Sequence, residues 1–280
     1  MMLSLPFEQV DVFAEHCYQG NALAVVVDAD DLTTKQMQAL ARWTQLSETT
    51  FLLKPRAPRA HYRVRIFTPL RELPFAGHPT LGSCKVWLDY NDSTVDSEII
   101  QECSAGLIRI RREGQCLAFS APPLLRGGAL DAATLEVIKH GLGLSDGQIR
   151  DSQWVDNGPG WAGVLLSSRD EVLDIKPNYA ALQGLNVGVI APWVGLQAEA
   201  DVEVRAFMGE EYNEDAVTGS LNASLAQWLI GSGAINNQYT ASQGTALGRR
   251  GRIHIESVNG TIWVGGAVNK CISGRATFAL

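Results

Sequence analysis

The chain has 280 residues, 46% of them apolar and 19% charged, enough to bury one or two cores without disulfide help. A formal net charge of −7 argues against a nucleic-acid surface, which needs clustered Lys and Arg to displace counterions. The five cysteines Cys17, Cys84, Cys103, Cys116 and Cys271 form no CxxC pair, which favours free thiols in a reducing, cytoplasmic setting. No run approaches the roughly 18 apolar residues of a membrane span. Met1 to Val10 carries Glu8 and no basic stretch, unlike a signal peptide. The arginines at 109, 111 and 112 and at 249, 250 and 252 read as solvated strand or loop edges.

Val10 to Phe13 is short and β-like, and a turn at Gly20-Asn21 leads into the apolar strand Ala22 to Val27. Thr33-x-x-Gln36 has the capping-box pattern. Behind it Met37, Leu40, Ala41 and Thr44 predict a helix face. Ser47 to Leu53 reads as a strand, and Tyr62 to Phe67 alternates apolar and basic residues as a strand with one wet face. Gly77-His78-Pro79 opens a helix with Pro79 as its first residue and Leu81, Cys84 and Leu88 as its apolar stripe. The turn-rich Ala121-Pro122-Pro123 and Arg126-Gly127-Gly128 mark a domain junction, giving halves 1–121 and 122–280, with the chain end free to pack back on the first.

The second half repeats this order. A turn at residues 156–160 precedes the strand Ala162 to Leu166, Pro177 to Leu182 is a weak helix or turn, and Val187 to Ala191 is strand-like. Val202 to Phe207 echoes Tyr62 to Phe67, and Thr218-Gly219-Ser220 opens a helix carrying Leu221, Leu225, Trp228 and Leu229 on one face, with Gly231 as its C-terminal cap. Two copies of one strand–helix unit follow.

Both helix-opening loops suit chemistry. Gly77 and Gly219 allow close backbone approach, and the first-turn N–H groups favour an anion. The positive helix end should keep His78 neutral. Asp215 adds a carboxylate before the second helix; alone it reads as a cap or turn residue. In a two-fold repeat both helix ends can face one cleft and hold a carboxylate substrate. Glu48 opens a segment that should be buried, where desolvation raises a carboxyl toward the neutral range of an acid/base group; from position alone an exposed turn glutamate is the competing reading. The histidines lack metal-site spacing, so no metal is expected. No GxSxG or GxxxxGK[ST] motif occurs, the glycine pairs lack dinucleotide-site context, and Trp154, Trp161 and Trp263 read as core.

Across nearly its whole length the chain resembles the PhzF-like isomerases of phenazine biosynthesis. The matching segments are Asp11-Val12-Phe13, Gly20-Asn21-Ala22-Leu23-Ala24-Val25-Val26, Leu46-Ser47-Glu48-Thr49-Thr50-Phe51, Arg65-Ile66-Phe67-Thr68-Pro69, Phe75-Ala76-Gly77-His78-Pro79-Thr80-Leu81-Gly82 and Asp215-Ala216-Val217-Thr218-Gly219-Ser220. The resemblance implies a diaminopimelate epimerase-like α+β fold: two pseudo-symmetric halves, each a curved, mostly antiparallel sheet around a central helix, with the active site in the cleft between. It implies isomerase chemistry without metal or organic cofactor, Glu48 as acid/base group with His78 and Asp215 beside it, and Asn21, Gly77, Gly219 and Ser220 as substrate-binding groups. A small carboxylate substrate and a homodimer also come from the resemblance.

Ala22 stands where the family usually has Pro, and Ala216-Val217 replaces a common Pro-Ala, which puts substrate identity in question. The epimerase relatives carry a cysteine before each helix-opening glycine. Ala76 and Thr218 occupy those positions here, which disfavours a two-thiol racemase and favours a proton shift along a conjugated system. A metabolite- or partner-binding protein without turnover, and an amino-acid epimerase, are the competing readings.

Overall fold

The apolar segments of the sequence form strands, and a computed structural model describes residues 2–91, 98–114 and 116–279. The chain divides into two compact units, Met1–Ser120 with Gly265–Leu280, and Ala121–Val264. The first contains β1 (Met2–Val12), β2 (Asn21–Val26), α1 (Thr34–Thr44), β3 (Glu48–Leu53), β4 (Tyr62–Phe67), β5 (Glu72–Leu73), α2 (Gly77–Tyr90), β6 (Glu98–Cys103), β7 (Gly106–Glu113) and β8 (Cys116–Ser120). The second contains β9 (Arg126–Ala129), α3 (Ala132–Leu142), β10 (Ile149–Asp156), β11 (Trp161–Leu166), α4 (Arg169–Asp174), α5 (Tyr179–Leu182), β12 (Asn186–Pro192), β13 (Val202–Met208), β14 (Asn213–Asp215), α6 (Gly219–Gly231), β15 (Gln238–Gln243) and β16 (Gly251–Val258). The last strand, β17 (Thr261–Ala279), enters the first unit from Gly265 onward.

In the first unit β1 pairs antiparallel with β2, β2 parallel with β3, and β3 antiparallel with β4. β4 then pairs antiparallel with β5 and parallel with β6, and β6, β7 and β8 continue antiparallel. β17 pairs with both β1 and β8, which closes the sheet on itself. α2 lies within this ring and contacts β1, β2, β3, β4, β6 and β8. The second unit repeats the sequence of pairings: β10 antiparallel to β11, β11 parallel to β12, β12 antiparallel to β13, and β13 antiparallel to β14 but parallel to β15. The fold is α+β, as the resemblance implied.

A helix enclosed by strands is buried all round. The predicted apolar stripes on α2 and α6 are too narrow for this: every residue from Gly77 to Cys84 is buried, as is every residue from Leu221 to Ala226. Small residues make the enclosure close. A Cβ at Gly82 would lie 2.5 Å from Leu23 Cδ2, and one at Gly188 would lie 2.2 Å from Leu221 Cδ1. α1 is different, packing its Met37 and Ala41 side against Phe51, Phe67 and Phe278 with the predicted capping box in place.

Several boundaries differ from the sequence reading. β1 begins at Met2 rather than Val10, in spite of Pro6. Pro6 lies beyond the first residue paired with β2, Phe7, so its missing N–H costs little. α2 starts at Gly77, which places Pro79 in the third helical position. α6 ends on Gly231, and the left-handed glycine that follows is Gly233, with φ 74°. Arg252 is no solvated edge: its guanidinium is buried and bound to Glu199 and Ser242.

Candidate active site

In the first unit, β2, β3 and α2 bring Asn21, Glu48 and His78 together. Asn21 is the first residue of β2, Glu48 the first of β3, and His78 the second of α2. The β2–β3 register sets Leu23 opposite Glu48, so strand pairing fixes the carboxylate near the start of β2. Glu48 Oε2 lies 3.3 Å from His78 Nε2. Asn21 Nδ2 lies 3.4 Å from His78 Nδ1, and Ser47 Oγ donates to Asn21 Oδ1 at 3.2 Å.

These contacts select one arrangement of protons. Ser47 occupies the Asn21 carbonyl, so the Asn21 amide N–H is directed at Nδ1, which accepts. Nε2 then carries the ring proton and lies 3.3 Å from Glu48 Oε2. Burial pushes the His78 pKa down to about 3, so the ring is neutral at physiological pH. The neutral form agrees with the sequence reading, and the cause is burial. Gly77 and His78 precede the first helical hydrogen bond, from the Thr80 N–H to the Ala76 carbonyl, so their amides belong to the anion-favouring end of α2. Glu48 itself is not the exposed turn glutamate of the competing reading: its side chain is 14% exposed.

In the second unit, Asp215 ends β14 and Gly219 and Ser220 open α6. Asp215 Oδ2 accepts from Thr218 Oγ1 at 2.6 Å. Ser220 Oγ accepts from Trp161 Nε1 at 3.1 Å, and its carbonyl accepts from Asn157 Nδ2 at 2.9 Å. Gln243, from β15, braces the turn: its Oε1 accepts from the Thr218 N–H and from Asn222 Nδ2, while its Nε2 donates to Thr218 Oγ1 and the Asp215 carbonyl.

Sequence reasoning named Asn21, Glu48, Gly77 and His78, which the structure gathers at one helix end, and Asp215, Gly219 and Ser220, which it gathers at another. It assigned no role to Ser47, Thr218, Asn222 or Gln243, and it read Trp161 as core alone. Trp161 is core by burial, yet its indole N–H holds the Ser220 hydroxyl. The available signal was polarity inside apolar segments: Gln243 and Asn222 are fully buried amides, which must find partners. Among the described residues, no cluster of His, Cys, Asp and Glu is arranged to hold a metal ion.

A family model described as phenazine biosynthesis-like protein matches residues 10–278. Antisense-enhancing sequence 1 of Schizosaccharomyces pombe is 35% identical over 96% of this chain and 98% of its own length. Trans-2,3-dihydro-3-hydroxyanthranilate isomerase of Pseudomonas chlororaphis is 35% identical over 86% of each chain. The crystal structure of a phenazine biosynthesis protein of the PhzF family from Enterococcus faecalis matches with a TM-score of 0.81 and 26% identity, covering 98% of this chain and 99% of that one. The chain is an isomerase and belongs to the phenazine biosynthesis-like protein family.

Proposed function

We propose that this isomerase moves a proton within a small carboxylate-bearing, dihydro-aromatic or amino-acid-like metabolite, with Glu48 as the acid/base group. The observation that carries the reading is the chain Ser47–Asn21–His78, which sets the Nε2 of a neutral imidazole 3.3 Å from the Glu48 carboxylate. Glu48 takes a proton from a carbon made acidic by an adjacent double bond or carboxylate. The electron pair moves along the conjugated system, and protonated Glu48 returns a proton at another carbon. Electrons and atoms balance within the substrate, so the step needs no oxidant or reductant. His78, neutral and 3.3 Å from the Glu48 carboxylate, borders it on the α2 side. Gly77 supplies a first-turn amide of α2 for a substrate carboxylate, and in the second unit Gly219 and Ser220 form an anion-favouring helix end of their own. Asn21 orients His78 and borders the substrate, and in the second unit Thr218 fixes the Asp215 carboxylate.

The relative from Pseudomonas chlororaphis suggests the first substrate to try, trans-2,3-dihydro-3-hydroxyanthranilate. The test is its conversion in deuterated water by the wild-type protein and by Glu48→Gln. We expect solvent deuterium in the product, and a loss of about 10²–10⁴ in rate for the variant, the range of positioned acid/base groups. Undiminished turnover in Glu48→Gln would overturn the assignment.

A further inference from the structure

All five cysteines are free, and two of them meet outside the Glu48 cluster. Cys17 lies in the segment 13–20 that joins β1 to β2, and Cys271 lies in β17. In the β1–β17 ladder Gln9 faces Ile272 and Val10 faces Lys270, so Cys271 is the extra residue of a β-bulge. Cys17 Sγ sits 3.8 Å from the Lys270 carbonyl oxygen, and Cys271 Sγ 3.7 Å from that of Asn269. The Lys270 carbonyl belongs to the peptide that leads into Cys271, so the Cys17 sulfur lies against the bulge that carries the second thiol. Both are half-buried.

The segment that holds Cys17 is constrained. Phe13 and Tyr18 hold φ angles of 65° and 71°, a region that non-glycine residues adopt at a cost. The Phe13 N–H donates to the Ala267 carbonyl, Asn269 Nδ2 to the Ala14 carbonyl, and the Gln19 and Gly20 amides to Asp11 Oδ2. Its next residue is Asn21, which orients His78. A covalent change at Cys17 therefore acts on a short, strained strap that ends at the candidate active site.

We propose that Cys17 and Cys271 form a reversible disulfide that fastens this strap to β17 and regulates the isomerase through Asn21. Glutathione disulfide is the oxidant. The Cys17 thiolate attacks one of its sulfurs and expels glutathione thiolate, giving a mixed disulfide at Cys17. The Cys271 thiolate then attacks the Cys17 sulfur, the protein disulfide forms, and a second glutathione thiolate leaves. Two protein thiols are oxidised and one glutathione disulfide is reduced to two thiolates, which take up the two protons the protein thiols release. Burial and the adjacent Cys17 thiol push the Cys271 pKa up to about 12, which makes ring closure the slow step and one that quickens as pH rises. A transient bond of this kind is the form that disulfides take in a reducing compartment.

The regulatory half rests on the proposed role of the Glu48 cluster; the chemical half does not. The folded protein is incubated with glutathione disulfide between pH 7 and 9 and digested under thiol-blocking conditions, and the peptides are mapped by mass. The expected product is a Cys17–Cys271 linkage that forms faster at higher pH, with part-exposed Cys116 remaining outside it. Cys271→Ser should stall as a glutathione adduct at Cys17. Hydrogen exchange across 13–21 should slow in the oxidised protein. Turnover should shift at least twofold on oxidation and return with dithiothreitol, while Cys17→Ser stays indifferent. Absence of the linkage at every pH, or equal labelling of Cys116 and Cys17 without closure, would overturn the disulfide. A linkage that leaves both exchange and turnover unchanged would overturn the regulation alone.

Discussion

The two units share one strand order and differ at the start of the enclosed helix. The β2–β3 register places Leu23 opposite Glu48, and the β11–β12 register places Trp161 opposite Asn186, so Asn186 stands where Glu48 stands. The helices open on Gly77 and Gly219, so Ser220 stands where His78 stands. The carboxylate–imidazole pair of the first unit thus has an amide and a hydroxyl as its counterparts. Asn186 Nδ2 donates to the Pro159 carbonyl, and Ser220 Oγ accepts from Trp161. In the second unit the ionisable group has moved to β14: Asp215 pairs with Ala206 as Leu73 pairs with Ile66. The scaffold supplies two similar helix ends, and side chains decide which of them carries a carboxylate–imidazole pair.

The largest expected effect separates these two ends. Glu48→Gln should cost about 10²–10⁴ in turnover with little change in the thermal midpoint, whereas Asn186→Ala should alter turnover by less than about tenfold. Equal losses in the two variants would mean that the comparison has located structure and not chemistry. The next effect separates two ion pairs. Arg65 holds Glu72 and Arg205 holds Glu214, each through paired hydrogen bonds and each with the guanidinium over a phenylalanine ring, Phe67 or Phe207. The first pair has side chains 22% and 30% exposed, the second 5% and 6%. Arg205 also donates to the Val172 and Ile175 carbonyls near the end of α4. Glu214→Gln strands a buried guanidinium charge, and urea unfolding should show a loss of about 3–5 kcal/mol.

Much of this was legible in the sequence because it lay in short, ordered signals. The Thr33–Gln36 capping box and the alternation over Tyr62–Phe67 each state a local geometry that forms, and the echo over Val202–Phe207 forms its strand but with both faces buried. Glu48, His78 and Asn21 were legible as motif residues, but their mutual contact depends on strand register, which no local pattern states. Gln243 was missed, and Trp161 was read as core alone, for the same reason: each meets the start of α6 from a distant strand. The long β17 was hidden by its composition. Gly265, near its start, lies against β8, where a Cβ would come within 2.9 Å of Ala118 Cβ. The enclosed helices were read as one-sided because the apolar stripe that sequence periodicity detects describes a surface helix, such as α1.

Acid stability gives a third, smaller contrast, because His78 titrates and its counterpart Ser220 does not. The folded protein keeps the buried imidazole neutral down to about pH 3, while the unfolded chain binds a proton near its ordinary value of 6.5. Between these limits the unfolded state holds the extra proton, so stability present above pH 6.5 is lost as pH falls, up to tenfold in the folding equilibrium per pH unit. Carboxylates titrate over the same range, so the readout is a difference between proteins. The urea midpoint of wild type should fall further between pH 7 and pH 4.5 than that of His78→Gln, and parallel falls would remove His78 from the account.

The smallest effect completes the comparison of ion pairs. Glu72→Gln removes the carboxylate from Arg65, whose guanidinium is 22% exposed and also donates to Thr34 Oγ1. Water can replace the lost partner, so the loss should stay at or below about 1 kcal/mol and should shrink further in high salt. The same substitution at the equivalent site of the second unit leaves a charge that water does not reach, and its cost should be nearly independent of salt. Measuring both variants at low and high ionic strength therefore tests burial itself as the difference between the units: equal costs with equal salt dependence would mean that two copies of one ion pair do the same work in spite of their different exposure.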